Sequence, residues 1–146
     1  MPSATAGIVV DANILISAVL GRAARLTEFQ RVAGTVPLLT TDEVIREATG
    51  VVRHRRPDAL SAANGLFALV RMVPVESLGP LRLIEAARFL QRAPQSGNGL
   101  DADAHVLALA DTAAADIWTH DRDFAGTGIP TWSTANLMAA FGLDDP

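Results

Sequence analysis

The sequence predicts an α/β protein built on a parallel sheet covered on both faces. Short, continuously apolar runs alternate with longer helical stretches along the chain. The runs lack the in–out alternation of a half-exposed sheet, as expected for strands buried on both faces. The best of them ends on a carboxylate, and acidic residues recur where later runs or loops give way to helices or turns. Open parallel sheets bind ligands outside the carboxyl ends of their strands.

The elements follow in order. Ile8–Val10 is a first buried strand, and the helix Ala12–Leu20 comes straight after it. Gly21 separates that helix from a second over Arg22–Ala33. Val36–Leu39 is the next strand, followed by a helix over Thr41–Arg56 that Pro57 ends, because proline lacks an N–H and clashes with the preceding turn. Asp58–Arg71 is expected to be helical, then Met72–Val75 a weaker strand and Pro80–Arg92 a helix. Pro94-Gln95-Ser96-Gly97-Asn98-Gly99 has loop composition. Leu100–Ala115, rich in Ala and Leu, is a long helix. Asp116–Trp118 is a clear strand, Ile129–Trp132 a weaker one, and Ser133–Phe141 a last helix with Ser133 as its N-cap and Gly142 past its end.

Composition narrows the function. With 49% hydrophobic and 19% charged residues, the chain has a globular composition rather than that of a disordered one, and residues 1–146 read as one domain. The chain has no cysteine, which excludes disulfides, thiolate nucleophiles and cysteine-bound zinc. All 12 basic residues are arginine, so chemistry that requires lysine, including the Walker-type phosphate loop, is excluded as well. The net charge of −4 means that a polyanion would be held by a local arginine patch and bound cations, not by the overall field. No apolar run approaches membrane-spanning length, and the N-terminus lacks the basic region of a signal peptide, so a cytoplasmic protein is expected.

Four acidic positions stand at strand-to-helix or strand-to-turn junctions: Asp11, Glu43, Asp103 and Asp121. Each has a structural reading beside the functional one. Asp11 can cap the helix beginning near Asn13. Thr40-x-x-Glu43 matches a capping box, in which Glu43 reaches back to the Thr40 N–H. Asp101 and Asp103 both suit the positive end of a helix, and residues two apart do not share a helix face, so at most one of them points at Asp11. Asp121 fits a solvated turn, with Phe124 anchoring it in the core. A doubly wound sheet would bring the four together, and that convergence favours a shared site. Clustered carboxylates repel and raise one another's pKa unless a cation intervenes. Their all-oxygen donor set suits Mg²⁺ or Mn²⁺ better than zinc. His54, His105 and His120 lack helical zinc-site spacing and read as peripheral.

Taken in order, Val10-Asp11-Ala12-Asn13-Ile14-Leu15, Thr41-Asp42-Glu43-Val44, Asp103-Ala104-His105-Val106-Leu107-Ala108-Leu109-Ala110 and Trp118-Thr119-His120-Asp121-Arg122-Asp123-Phe124 resemble a PIN domain, specifically a VapC-type toxin ribonuclease. Each motif is short; their order and spacing over nearly the whole chain carry the resemblance. It implies a three-layer α/β/α sandwich with a mostly parallel sheet, and an endoribonuclease that cleaves single-stranded RNA with Mg²⁺ or Mn²⁺. Asp11, Glu43, Asp103 and Asp121 match the family's metal-binding catalytic positions. Thr119 and Asn13 would support Asp11, and Asp123 would assist through a water. Arg22, Arg25, Arg53, Arg55 and Arg56 are candidates for the RNA backbone, although the Arg53–Arg56 run equally suits a solvated helix end. A homodimer and an antitoxin partner are implied too. His105 departs from the pattern, where an apolar residue is usual, and Asp101 rivals Asp103.

Other readings remain. A PIN-like nuclease acting in RNA maturation or on DNA shares every motif. So does an inactive PIN-like module for dimerisation or partner binding. A haloacid-type phosphatase also resembles the opening strand but wants an aspartate where Asn13 stands, and it wants a lysine.

Overall fold

The computed structural model describes residues 7–92, 100–121, 124 and 126–144, with the backbone alone for residues 89, 91, 92 and 100–102. The loop expected at residues 94–99 lies outside the described residues, as does Asp123. Five parallel strands form one sheet: β1 (Ile8–Val10), β2 (Leu38–Thr41), β3 (Arg71–Val73), β4 (Asp116–Trp118) and β5 (Thr131–Trp132). Their spatial order is β3-β2-β1-β4-β5. Every neighbouring pair is parallel, so the mostly parallel sheet expected is wholly parallel among the described residues. In register, Val9 stands beside Leu39 on one side and Ile117 on the other.

Seven α-helices flank the sheet among the described residues: α1 (Ala12–Leu20), α2 (Ala23–Ala33), α3 (Asp42–Arg55), α4 (Leu60–Phe67), α5 (Pro80–Arg92), α6 (Leu100–Ala113) and α7 (Thr134–Ala140). α6 lies across β1, β2 and β4, with α5 packed on it. α1 to α4 pack on one another, α3 lies against β2 and β3, and α7 rests on α2. This is the three-layer α/β/α arrangement. No helix among the described residues is long and apolar enough to cross a membrane.

The core is what the apolar runs predict. Ile8, Val9, Val10 and Ile117 are completely buried, together with Phe29, Trp118 and Phe124. Burying one such side chain is worth roughly 1.5–3 kcal/mol. Phe29 stacks on Trp118 with ring centroids 5.7 Å apart, joining α2 to the interior strand β4. Trp118 is buried with its indole N–H donating to Thr134 Oγ1 at 3.0 Å, so its polar atom is satisfied.

Where the strand and helix limits differ from expectation, prolines and ladder pairing explain most of the difference. β2 starts at Leu38, not Val36, since Pro37 has no N–H; its carbonyl still accepts Ile8 N at 3.0 Å. It runs on to Thr41 because Thr40 and Thr41 pair with Met72 and Val73 of β3. β3 stops at Val73 before Pro74, and β5 starts after Pro130. The single helix expected over Asp58–Arg71 is instead a 3-10 turn, Pro57–Ala59, then α4, because Arg71 is needed in the β3 ladder. α6 ends at Ala113, where Ala114 turns to φ 53°. α7 closes as expected: Gly142 takes φ 67°, which favours glycine, and Leu143 N returns to Met138 O at 2.8 Å.

The sheet order reverses direction beside β1. The chain winds outward from β1 through β2 to β3, then restarts on the other side at β4 and β5. The carboxyl ends of β1 and β4 therefore border the crevice where such sheets hold ligands.

Candidate active site

Asp11 occupies that crevice. It follows β1 directly, is only 7% exposed, and its backbone N–H donates to Trp118 O at 3.0 Å. Its Oδ1 accepts from Ala12 N at 2.8 Å, so the capping role is real, and α1 spans Ala12–Leu20 as expected. Its Oδ2 accepts from Thr119 Oγ1 at 2.7 Å and from Asn13 Nδ2 at 3.3 Å.

Thr119 and Asn13 form a small bracket around the carboxylate. The buried Thr119 hydroxyl donates its one proton to Asp11 and accepts from Asp121 N at 2.9 Å and Asn13 Nδ2 at 3.3 Å. That uses all the hydrogen-bonding capacity a hydroxyl has. Asn13 Oδ1 accepts from His120 N at 3.4 Å, tying α1 to the turn after β4. The structure thus brings together Asp11, Asn13, Thr119 and the backbone of Asp121.

On α3 the arrangement differs from the capping box the sequence suggests. The N-cap is Thr41, not Thr40, and its Oγ1 accepts from Val44 N at 3.1 Å. The reason is the longer β2: Thr40 is still in the ladder, with its hydroxyl donating to Val10 O at 2.8 Å. Glu43 does not reach back to Thr40. It pairs with Arg46 Nη1 at 2.8 Å, with its side chain 43% exposed. Glu47, one turn further along the same face, stands in the field of Asp11. Partial desolvation first, and the negative charge of Asp11 second, raise its carboxyl above its ordinary pKa. Sequence reasoning missed Glu47. Its i+4 spacing from Glu43 was the available signal.

Asp103 is half-buried in the first turn of α6. It shares a stripe with Val106, Leu107 and Ala110, which pack inside. Asp121 is half-buried in the turn after β4. Among the described residues, no three acidic or histidine side chains converge tightly enough to enclose an ion by themselves.

The basic candidates divide. Arg25 pairs with Glu28 at 3.0 Å and sits near His120, beside the crevice. Partial burial, then the Arg25 charge, hold the His120 imidazole below its ordinary pKa, with Glu28 acting the other way. His120 Nε2 lies 2.9 Å from Thr134 Oγ1, which accepts from Trp118 and so has its own proton for a neutral imidazole. Arg22 is exposed at the start of α2. Arg53, Arg55 and Arg56 are exposed at the far end of the 14-residue α3, roughly 18–22 Å along the axis from Thr41. Arg56 is held by Asp58 at 2.9 Å. The structure does not bring these three to Asp11.

Fold and site define an open α/β protein, its sheet parallel among the described residues, with a buried aspartate at its switch point. The PIN domain family model matches residues 9–142, and the chain belongs to that family. No curated relative matches the sequence. Solved structures share the fold. A toxin–antitoxin complex from Klebsiella pneumoniae aligns at TM-score 0.63 and 18% identity, over 87% of this chain and 97% of that one. VapBC2 from Rickettsia felis, bound to a DNA fragment from its promoter, aligns at TM-score 0.69 and 12% identity, over 86% and 97%. Mycobacterium tuberculosis VapC20, a toxin that cleaves the sarcin–ricin loop, aligns at TM-score 0.61 and 23% identity, over 84% and 95%.

Proposed function

We propose that the chain is an endoribonuclease that cleaves single-stranded RNA with Mg²⁺ or Mn²⁺, and that it is the toxin of a toxin–antitoxin pair. The observation that carries the reading is the buried Asp11, held by Thr119 and Asn13 at the switch point of a PIN domain, with Glu47 near enough to feel its charge. Partial burial first and the charge of Asp11 second raise the Glu47 carboxyl, and a cation between the two would relieve their repulsion. Two carboxylates fit Mg²⁺ or Mn²⁺, because Mg²⁺ keeps several waters and takes one or two carboxylates plus substrate phosphate. Asp11 and Glu47 would hold the ion, with Asp103 and Asp121 closing the acidic rim and Glu43 beside it. When bound, the cation supplies Lewis acidity towards the scissile phosphate and lowers the pKa of a coordinated water.

The protein's own contribution is positioning. Thr119 and Asn13 bind Oδ2 of Asp11, which fixes the direction of the carboxylate. Ala12 N holds Oδ1. Arg25 and Arg22, on the rim, would take the RNA phosphates, and Asp123 would act through a water. The reading includes an antitoxin that covers this face, a homodimer, and a cytoplasmic setting. The solved toxin–antitoxin relatives support the partner.

Single-stranded RNA incubated with the purified chain and Mg²⁺ tests the reaction. Cleavage is expected to stop on chelation and in Asp11→Asn. Undiminished cleavage in excess EDTA would sink the metal mechanism. Growth arrest on expression, relieved by the product of a neighbouring gene, tests the toxin role.

A further inference from the structure

We propose that His105 is a positioning residue that sets the α6 carboxylate Asp103 against the α3 carboxylate Glu47. The inference rests on the nuclease reading above and names a further residue for that site. His105 Nδ1 lies 2.8 Å from Thr41 Oγ1. The same hydroxyl is the N-cap of α3, accepting Val44 N at 3.1 Å. Thr41 is completely buried. One oxygen thus starts the helix carrying Glu47 and holds the first turns of the helix carrying Asp103. The preceding residue, Thr40, donates to Val10 O at 2.8 Å, one position before Asp11. The two threonines link β1, β2, α3 and α6 around the acidic centre.

The surroundings of the imidazole would suit an apolar side chain equally well for packing. It lines a groove otherwise formed by Val75, Leu83, Ile84, Ala87 and Ala104. A leucine would fill an apolar groove without the cost of desolvating a polar ring. What histidine adds is a directional bond across two helices. Asp103 lies two residues away on the same helix, so rotation or sliding of α6 carries it directly. Catalytic groups must be held to about 0.5 Å and 10–20°, and a shift of about 1 Å costs on the order of 100-fold.

Mn²⁺ binding to the full chain, measured by calorimetry, tests the role together with melting curves in EDTA. His105→Leu is expected to melt within a few degrees of the wild type and to bind Mn²⁺ about tenfold more weakly. His105→Asn, whose amide can occupy the Nδ1 position and bond Thr41, is expected to recover most of that affinity. If leucine is not accommodated, His105→Ala must show the same weakening. Wild-type affinity in the leucine or alanine variant overturns the proposal, and so does an asparagine variant as weak as leucine. Failure of the wild type itself to bind Mn²⁺ overturns the nuclease reading and this proposal with it.

Discussion

Replacing Thr119 by valine isolates the hydroxyl that orients Asp11. Valine keeps the shape of the buried side chain and removes three hydrogen bonds at once. The 2.7 Å bond to the Asp11 carboxylate is charge-assisted, and losing such a bond costs roughly 1.5–3 kcal/mol. The Asp121 N–H sits in a half-exposed turn where water can replace the lost acceptor, and the 3.3 Å Asn13 bond is weak, so neither adds much. The new methyl recovers about 0.8 kcal/mol of apolar burial. The net loss is about 1–2 kcal/mol, or roughly 3–8 °C in melting temperature for a chain of this size. Circular dichroism melting in EDTA measures it, with Thr119→Ser as the control that retains the hydroxyl and loses only the methyl. Serine should keep RNA cleavage, and valine should lose at least tenfold. If serine is destabilised as much as valine, or valine cleaves normally, the hydroxyl does not set Asp11 and the argument fails.

Glu47→Gln is expected to weaken Mn²⁺ binding by tenfold or more, and Glu43→Gln by less than threefold; calorimetry returning the opposite order would restore Glu43 as the α3 ligand. Stability measured against pH in EDTA should carry the signature of Glu47. Its folded pKa is raised, so the native state binds more protons than the unfolded state from pH 4.5 upwards, and this contribution to stability is lost as pH rises through the raised value. Glu47→Gln should remove that fall, and identical pH profiles for the two proteins would contradict the assignment. Thr41→Ala should cost about 1–2 kcal/mol in urea titration as a lost helix cap. Glu43→Ala, which breaks only an exposed pair, should stay within about 0.5 kcal/mol, and equal losses would argue for the capping box with Thr40. In filter binding, Arg25→Gln should weaken RNA several-fold and reduce the salt slope by about one. Combined glutamine replacement of Arg53, Arg55 and Arg56 should change affinity less than twofold, and a larger loss would place RNA along α3.

The sheet was readable because β1 is an unbroken apolar run and β4 carries the buried Ile117 and Trp118 straight after a long alanine-rich helix. Strands next to a proline were misplaced by one or two residues, β2 and β3 at both ends and β5 at its start, since apolar content marks burial and not which N–H groups join a ladder. Pro37, Pro74 and Pro130 each set a strand limit that hydrophobicity does not record. The same effect carried over to the site. Extending β2 through Thr41 moved the helix cap from Thr40 to Thr41.

By itself the sequence determined the class of the protein. Alternating apolar runs and helices, an aspartate after the first strand, and the absence of lysine and cysteine lead to an open α/β fold and away from rival chemistries. Those are local or compositional properties, and a linear reading sees them whole. The resemblance pointed to Thr119 as a support of Asp11, and only the tertiary structure gave the bond itself: 108 residues apart in the chain, the Thr119 hydroxyl donates to Oδ2 of Asp11 at 2.7 Å. The tertiary structure alone separated Arg25 from the Arg53–Arg56 run, and gave His105 a partner in Thr41. Such pairings depend on strand order and helix register, and no spacing along the chain encodes the distance between two ends of a folded sheet.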